Sequence, residues 1–87
     1  MKDNLKEKIN KFLELPEEIV YDVPRITWVG KVLLIENYKN LMEYESDKLR
    51  VITSIGILAV DGRNFEIKSI SKEEILVNGT ITKLELL

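Results

Sequence analysis

Apolar residues are spaced in two regimes along the chain. Over the first fifteen positions Leu5, Ile9, Phe12 and Leu13 recur at helical spacing behind Asp3, which is placed to act as an N-cap, and predict a short amphipathic helix over 1–15. Glu7 and Lys11 stand four apart in the order that supports a helix. Leu15-Pro16 ends it, because the residue before proline is pushed out of the α region. A helix of about 11 residues does not hold by itself in water, so its apolar face is expected to dock on the rest of the domain or on another chain. A membrane-surface role competes with docking, and the acidic Glu7 and Glu14 weaken it.

From Pro16 onward the pattern shortens, and a β domain is expected over 16–87. Between Pro16 and Pro24, Ile19 to Val23 alternates well enough for an edge strand, and Glu17-Glu18 could open a single helical turn. After Pro24, turn signals fall about every 8 to 12 residues, as in an all-β roll, sandwich or barrel. The strands expected are Arg25–Val29, Lys31–Glu36, Asn40–Glu45, Lys48–Thr53, Ile55–Val60, Asn64–Ile70, Glu74–Val77 and Thr80–Leu86. Asp61-Gly62 and Asn78-Gly79 are the strong two-residue hairpin pairs, and Ser46-Asp47 is a third candidate tip. Ser71 followed by Lys72, Glu73 and Glu74 could instead cap one helical turn. The fold expected is therefore mainly β, an antiparallel meander of sequential hairpins with one short N-terminal α-helix. No fixed period holds across the chain, although a β-solenoid is a competing architecture.

The stretch Ile55 to Ile70 poses the sharpest question. With an even-numbered loop at Asp61-Gly62, Leu58, Val60, Phe65 and Ile67 share one face, and Ile57 and Ala59 lie on the other. Apolar residues on both faces recur in Val32-Leu33-Leu34-Ile35 and at Leu84 to Leu87, which an antiparallel sheet open to water on one side does not need. A second copy of the chain is the expected cover, because symmetric pairing hides apolar faces and strand edges alike. Ile57 and Ala59 are thus the positions that test which cover is used.

Composition narrows function mainly by exclusion. The 87 residues contain no cysteine and no histidine, which removes disulfides, thiolate nucleophiles, the usual zinc sites and any base with an ordinary pKa near neutral. Glu43 and Glu45 share a face, but one that reads as a solvated sheet surface; Glu17-Glu18 and Glu73-Glu74 point to opposite faces of a strand. The four glycines are dispersed, so no phosphate loop exists, and Gly56 marks a bulge or close backbone approach if it lies inside a strand. No catalytic residue, metal site or cofactor is expected, and an enzyme of this composition would have to use a metal held by carboxylates.

The net charge is −2 with scattered lysines and arginines, unlike the basic stripe of a nucleic-acid binder. No apolar run approaches a membrane span and the N-terminus lacks a signal peptide's apolar centre, so a cytoplasmic protein is expected. The residues singled out for partner or dimer contacts are Arg25, Trp28, Tyr38, Ile57 and Ala59. Arg25 has a cross-sheet ion pair as its plainer role, Trp28 a place in the core or an interface, and Tyr38 sits in an expected loop beside Asn37, Lys39 and Asn40.

Leu15-Pro16, Val23-Pro24-Arg25-Ile26-Thr27, Gly30, Ile35-Glu36-Asn37-Tyr38 and Tyr44, continued by Ser54-Ile55-Gly56, Gly62, Ile67-Lys68 and Glu73-Glu74-Ile75 ahead of Gly79, resemble the YabP/YqfC family of sporulation proteins. The likeness runs from about Leu15 to Leu84, and the N-terminal segment favours the YqfC-like branch. It implies a small β-rich cytoplasmic protein of endospore-forming bacteria with no assigned enzyme activity. It also implies a sporulation protein as partner, a membrane protein of the same developmental stage being the natural candidate. The reading is a non-catalytic interaction or scaffold module that forms a homodimer and binds no nucleic acid. The alternative is an Sm-like or OB-type barrel binding single-stranded nucleic acid through aromatics such as Trp28, Tyr38 and Tyr44.

Overall fold

The computed structural model describes residues 22–87. The expected helix over 1–15 and most of the expected Ile19–Val23 strand lie outside the described residues, and Val23 itself is not in a strand. Six strands form one antiparallel sheet: β1 (Arg25–Val29), β2 (Val32–Glu36), β3 (Asn40–Tyr44), β4 (Lys48–Thr53), β5 (Gly56–Ile70) and β6 (Glu74–Leu86). Their spatial order is β1-β2-β6-β5-β4-β3. The described residues contain no helix. The expected meander holds for β3 to β6, whereas β1 and β2 form a separate hairpin laid against the start of β6.

Three tight turns fall where turn chemistry places them. Val29 pairs with Val32 across Gly30-Lys31, where Gly30 takes φ 59°, a left-handed conformation glycine adopts without a Cβ penalty. Thr53 pairs with Gly56 across Ser54-Ile55, and the Thr53 hydroxyl donates to the Gly56 carbonyl at 2.7 Å. Ser46-Asp47 lies in the β3–β4 connection, which the Glu45 amide closes on the Lys48 carbonyl. At Ser71 the hydroxyl accepts the amides of Glu73 and Glu74, as a cap would, but the chain turns straight into β6 without a helical turn.

The two strongest hairpin signals are not hairpins. β5 runs unbroken through Asp61-Gly62 and β6 through Asn78-Gly79, so the eight expected strands merge into six. Turn propensity is local, and a long paired partner outweighs it: the two strands pair from Leu58↔Leu86 to Ile70↔Ile75, with register shifts at Asp61/Gly62, Arg63/Glu66 and Ile67/Ser69. The glycines serve close approach instead. A Cβ on Gly62 would collide with the Thr80 carbonyl and stand 2.7 Å from the Phe65 ring, and one on Gly79 would stand 2.6 Å from that ring. Phe65 therefore packs on bare backbone at the point where β5 and β6 bend.

The bend organises the core. Between Val60 and Phe65 a regular strand would place the two side chains on opposite faces, since they stand five positions apart. The irregular residues, including Asn64 at φ 58°, bring both into one cluster. That cluster also holds Leu33 and Ile35 from β2, Leu49 and Val51 from β4, Leu58 from β5, and Ile75 and Val77 from β6. Beyond the bend the β3–β4 hairpin reaches across to β5. Ser46 and Asp47 accept backbone hydrogen bonds from Phe65 (2.8 Å) and Gly62 (3.0 Å), and the Tyr44 hydroxyl accepts from the Ile67 amide and donates to the Phe65 carbonyl. A hydroxyl thus takes the place of a ladder bond along the second half of β5.

Candidate interaction surfaces

The sequence-chosen residues separate into three places. Trp28 and Arg25 lie on β1, which has β2 on one side and no strand on the other. Trp28 stands opposite the buried Leu33, so it faces the core from the rim. It remains 48% exposed, and its indole Nε1 donates to the Gly30 carbonyl at 2.9 Å, folding the ring along its own turn. The next pair, Val29 and Val32, projects from the opposite face and is 70% and 46% exposed. Half-buried Leu34 and Leu76, paired with each other, continue that apolar stripe. Arg25 is exposed opposite Glu36 and makes no ion pair with it among the described residues.

Tyr38 belongs to the framework. It is half-buried against the core, and its hydroxyl donates to the Ser71 carbonyl, tying the β2–β3 connection to the β5–β6 turn. Asn37 (φ 58°) and Lys39 complete this end of the molecule. Lys39 Nζ lies 2.9 Å from Asp22 Oδ1, Asn37 Nδ2 donates to the Val23 carbonyl, and Ser54 Oγ donates to the Asp22 carbonyl at 2.6 Å. The Lys39 bond, aided by Asn37, holds the Asp22 carboxyl below its ordinary value of 3.8 against the opposing effect of desolvation.

Ile57 and Ala59 occupy the outer face of β5. Ala59 is 1% exposed, flanked in the ladder by Arg50 and Glu85. Arg50 reaches past it to Asp61 Oδ1 at 3.1 Å and also donates to the Leu49 and Val60 carbonyls, so its aliphatic stem lies over the small side chain. Ile57 is half-buried between Ile52 and Leu87, and Leu87 is 65% exposed. The outer face of this half therefore carries a charged lid over Ala59 and an apolar end at Ile52, Ile57 and Leu87. Sequence reasoning missed Arg50 and Val29; the signal was an arginine directly across from an alanine, legible once the register is known.

Trp28, Tyr38 and Tyr44 do not line one surface, because Tyr38 and Tyr44 are fastened by their hydroxyls to separate stretches of backbone. Among the described residues no three acidic side chains gather in a way that could hold a metal ion, and no helix is long and apolar enough to cross a membrane.

Comparison with known proteins agrees with the resemblance in the turns and strands. A protein described as "Uncharacterized protein YqfC" from Bacillus subtilis (strain 168) is 38% identical over 81 residues, covering 92% of this chain and 87% of the relative. No solved structure matches. The model of the YabP family matches residues 30–87, from the β1–β2 turn through all of β6, and the chain belongs to that family.

Proposed function

We propose that this is a non-catalytic sporulation protein: a small β-rich module of the sporulating cell's cytoplasm that works by holding other proteins, and that is itself a homodimer. The observation that carries the reading is the β1–β2 hairpin. Trp28 and Val29 of β1 and Val32 of β2 are each about half or more exposed, and the outer edge of β1 has no neighbour among the described residues. An edge strand beside an apolar stripe is the surface that protein partners add to. A composition without histidine or cysteine supports the absence of catalysis, and family membership supports sporulation as the setting.

The test has two arms. Deleting the gene should block spore formation and leave vegetative growth unchanged. Complementation with Trp28→Ala/Val29→Asp should fail to restore spores although the variant protein melts within a few degrees of the parent, since Val29 is 70% exposed and Trp28, 48% exposed, packs on the core only at its rim. Full restoration by that variant would remove the hairpin from the mechanism.

A further inference from the structure

We propose that two copies of this chain join along the second half of β6, antiparallel, with the two-fold axis at Leu84. This rests on the homodimer reading above and gives it a surface and a register.

β2 covers β6 only from Glu74 to Asn78, and from Thr80 onward β6 pairs with β5 alone among the described residues. The direction of its unused backbone groups follows from one pair. Ile57 and Leu87 exchange both hydrogen bonds, amide to carbonyl at 3.2 and 2.8 Å. In an antiparallel ladder such pairs alternate with pairs whose groups point away from each other. Leu86 and Leu84, opposite Leu58 and Val60, therefore turn their N–H and C=O toward the open edge. A two-fold axis between identical edges must place outward groups opposite outward groups, so it passes through a residue and not between two; an axis at Lys83 or Glu85 would set like charges opposite each other, and one at Leu84 does not.

With the axis at Leu84, Leu84 meets itself and Lys83 meets Glu85 of the second copy, twice. Both side chains lie on the outer face, 60% and 42% exposed, and within one chain they already touch at 3.3 Å. The close, non-hydrogen-bonded pairs of the new ladder would thus carry opposite charges, which favours pairing. On the inner face, half-buried Leu84 and the 48% exposed Leu86 gain neighbours from the second copy, extending the core through the junction. The β1 edge offers no such match: folded on itself about Thr27, it sets Arg25 opposite Val29.

Sedimentation velocity on the full chain over a micromolar concentration range tests the register. The parent should sediment at about twice 10.1 kDa. Lys83→Glu or Glu85→Lys alone should raise the dimer dissociation constant by about tenfold or more, because each puts like charges directly opposite in two places. An equimolar mixture of the two variants should associate as the parent does, as should Lys83→Glu/Glu85→Lys. Leu86→Pro removes an outward N–H without touching the β5–β6 ladder and should leave a folded monomer by circular dichroism. A dimer whose dissociation constant ignores all four changes overturns the β6 edge and leaves the homodimer reading standing. A concentration-independent monomer overturns both and assigns the edge to another segment or partner.

Discussion

Gly79 and Phe65 show how a single residue type can be read for the wrong reason. Asn78-Gly79 has the composition of a hairpin turn, yet Gly79 sits inside β6 at φ 155° with the Phe65 ring where a Cβ would be. Gly79→Ala should cost about 1–3 kcal/mol in urea unfolding, from backbone conformation and steric conflict together. In a Phe65→Ala background, which itself should lose about 3–5 kcal/mol, the same change should cost distinctly less. Equal costs in both backgrounds would leave only the backbone effect. Asp22 is the residue whose charge state matters. Its folded pKa lies below 3.8, so its bond to Lys39 contributes stability that is complete above that value and fades as pH falls through the folded pKa. The stability difference between the parent and Asp22→Asn, measured by denaturant unfolding, should therefore be constant from about pH 5 to 7 and shrink as pH falls below 3.8.

At the scale of elements, β5 is the organiser, because it meets β4 with its first half, β6 with its whole length and the β3–β4 tip at its bend. The Tyr44 hydroxyl closes the second half of β5 by accepting the Ile67 amide and donating to the Phe65 carbonyl. Tyr44→Phe should cost about 0.5–1.5 kcal/mol and speed hydrogen exchange at the Ile67 amide more than at neighbours in the β5–β6 ladder. The face assignment of Leu58, Val60 and Phe65 was legible in the sequence even though the turn between them was not. An even-numbered loop and a strand carrying extra residues both restore the same parity, so the apolar pattern alone does not separate a hairpin from a bulged continuous strand. The polar neighbours of Tyr38 place it in a loop but do not show that its ring is held; its acceptor, Ser71, is 33 residues away and no local pattern reveals it.

For the whole molecule, the covered outer position and the open edges divide the labour. Ala59 is hidden by the chain's own Arg50 and Glu85, so the apolar second face noted in the sequence needs a partner at fewer points than it first suggests. Among the described residues, the outer edges of β1 and β3 and the end of β6 stay open. A non-catalytic module should not gain stability from divalent cations: Mg²⁺ or Mn²⁺ in millimolar excess should leave the melting temperature unchanged, and a rise of several degrees would point to a carboxylate metal site and an enzyme.

By itself the sequence determined the all-β class of the described residues, the three tight turns at Gly30, Ser46-Asp47 and Ser54, and the inner face shared by Leu58, Val60 and Phe65. Each depends on neighbours close in the chain: turn residues on their own φ angles, and strands on a period of two. Only the tertiary structure decided that Asp61-Gly62 and Asn78-Gly79 are places of close packing, that β2 lies beside β6, and which backbone edges stay open. Those outcomes turn on which distant strand wins the competition for a ladder, and the energy of that choice is spread over whole strands instead of residing in any short motif.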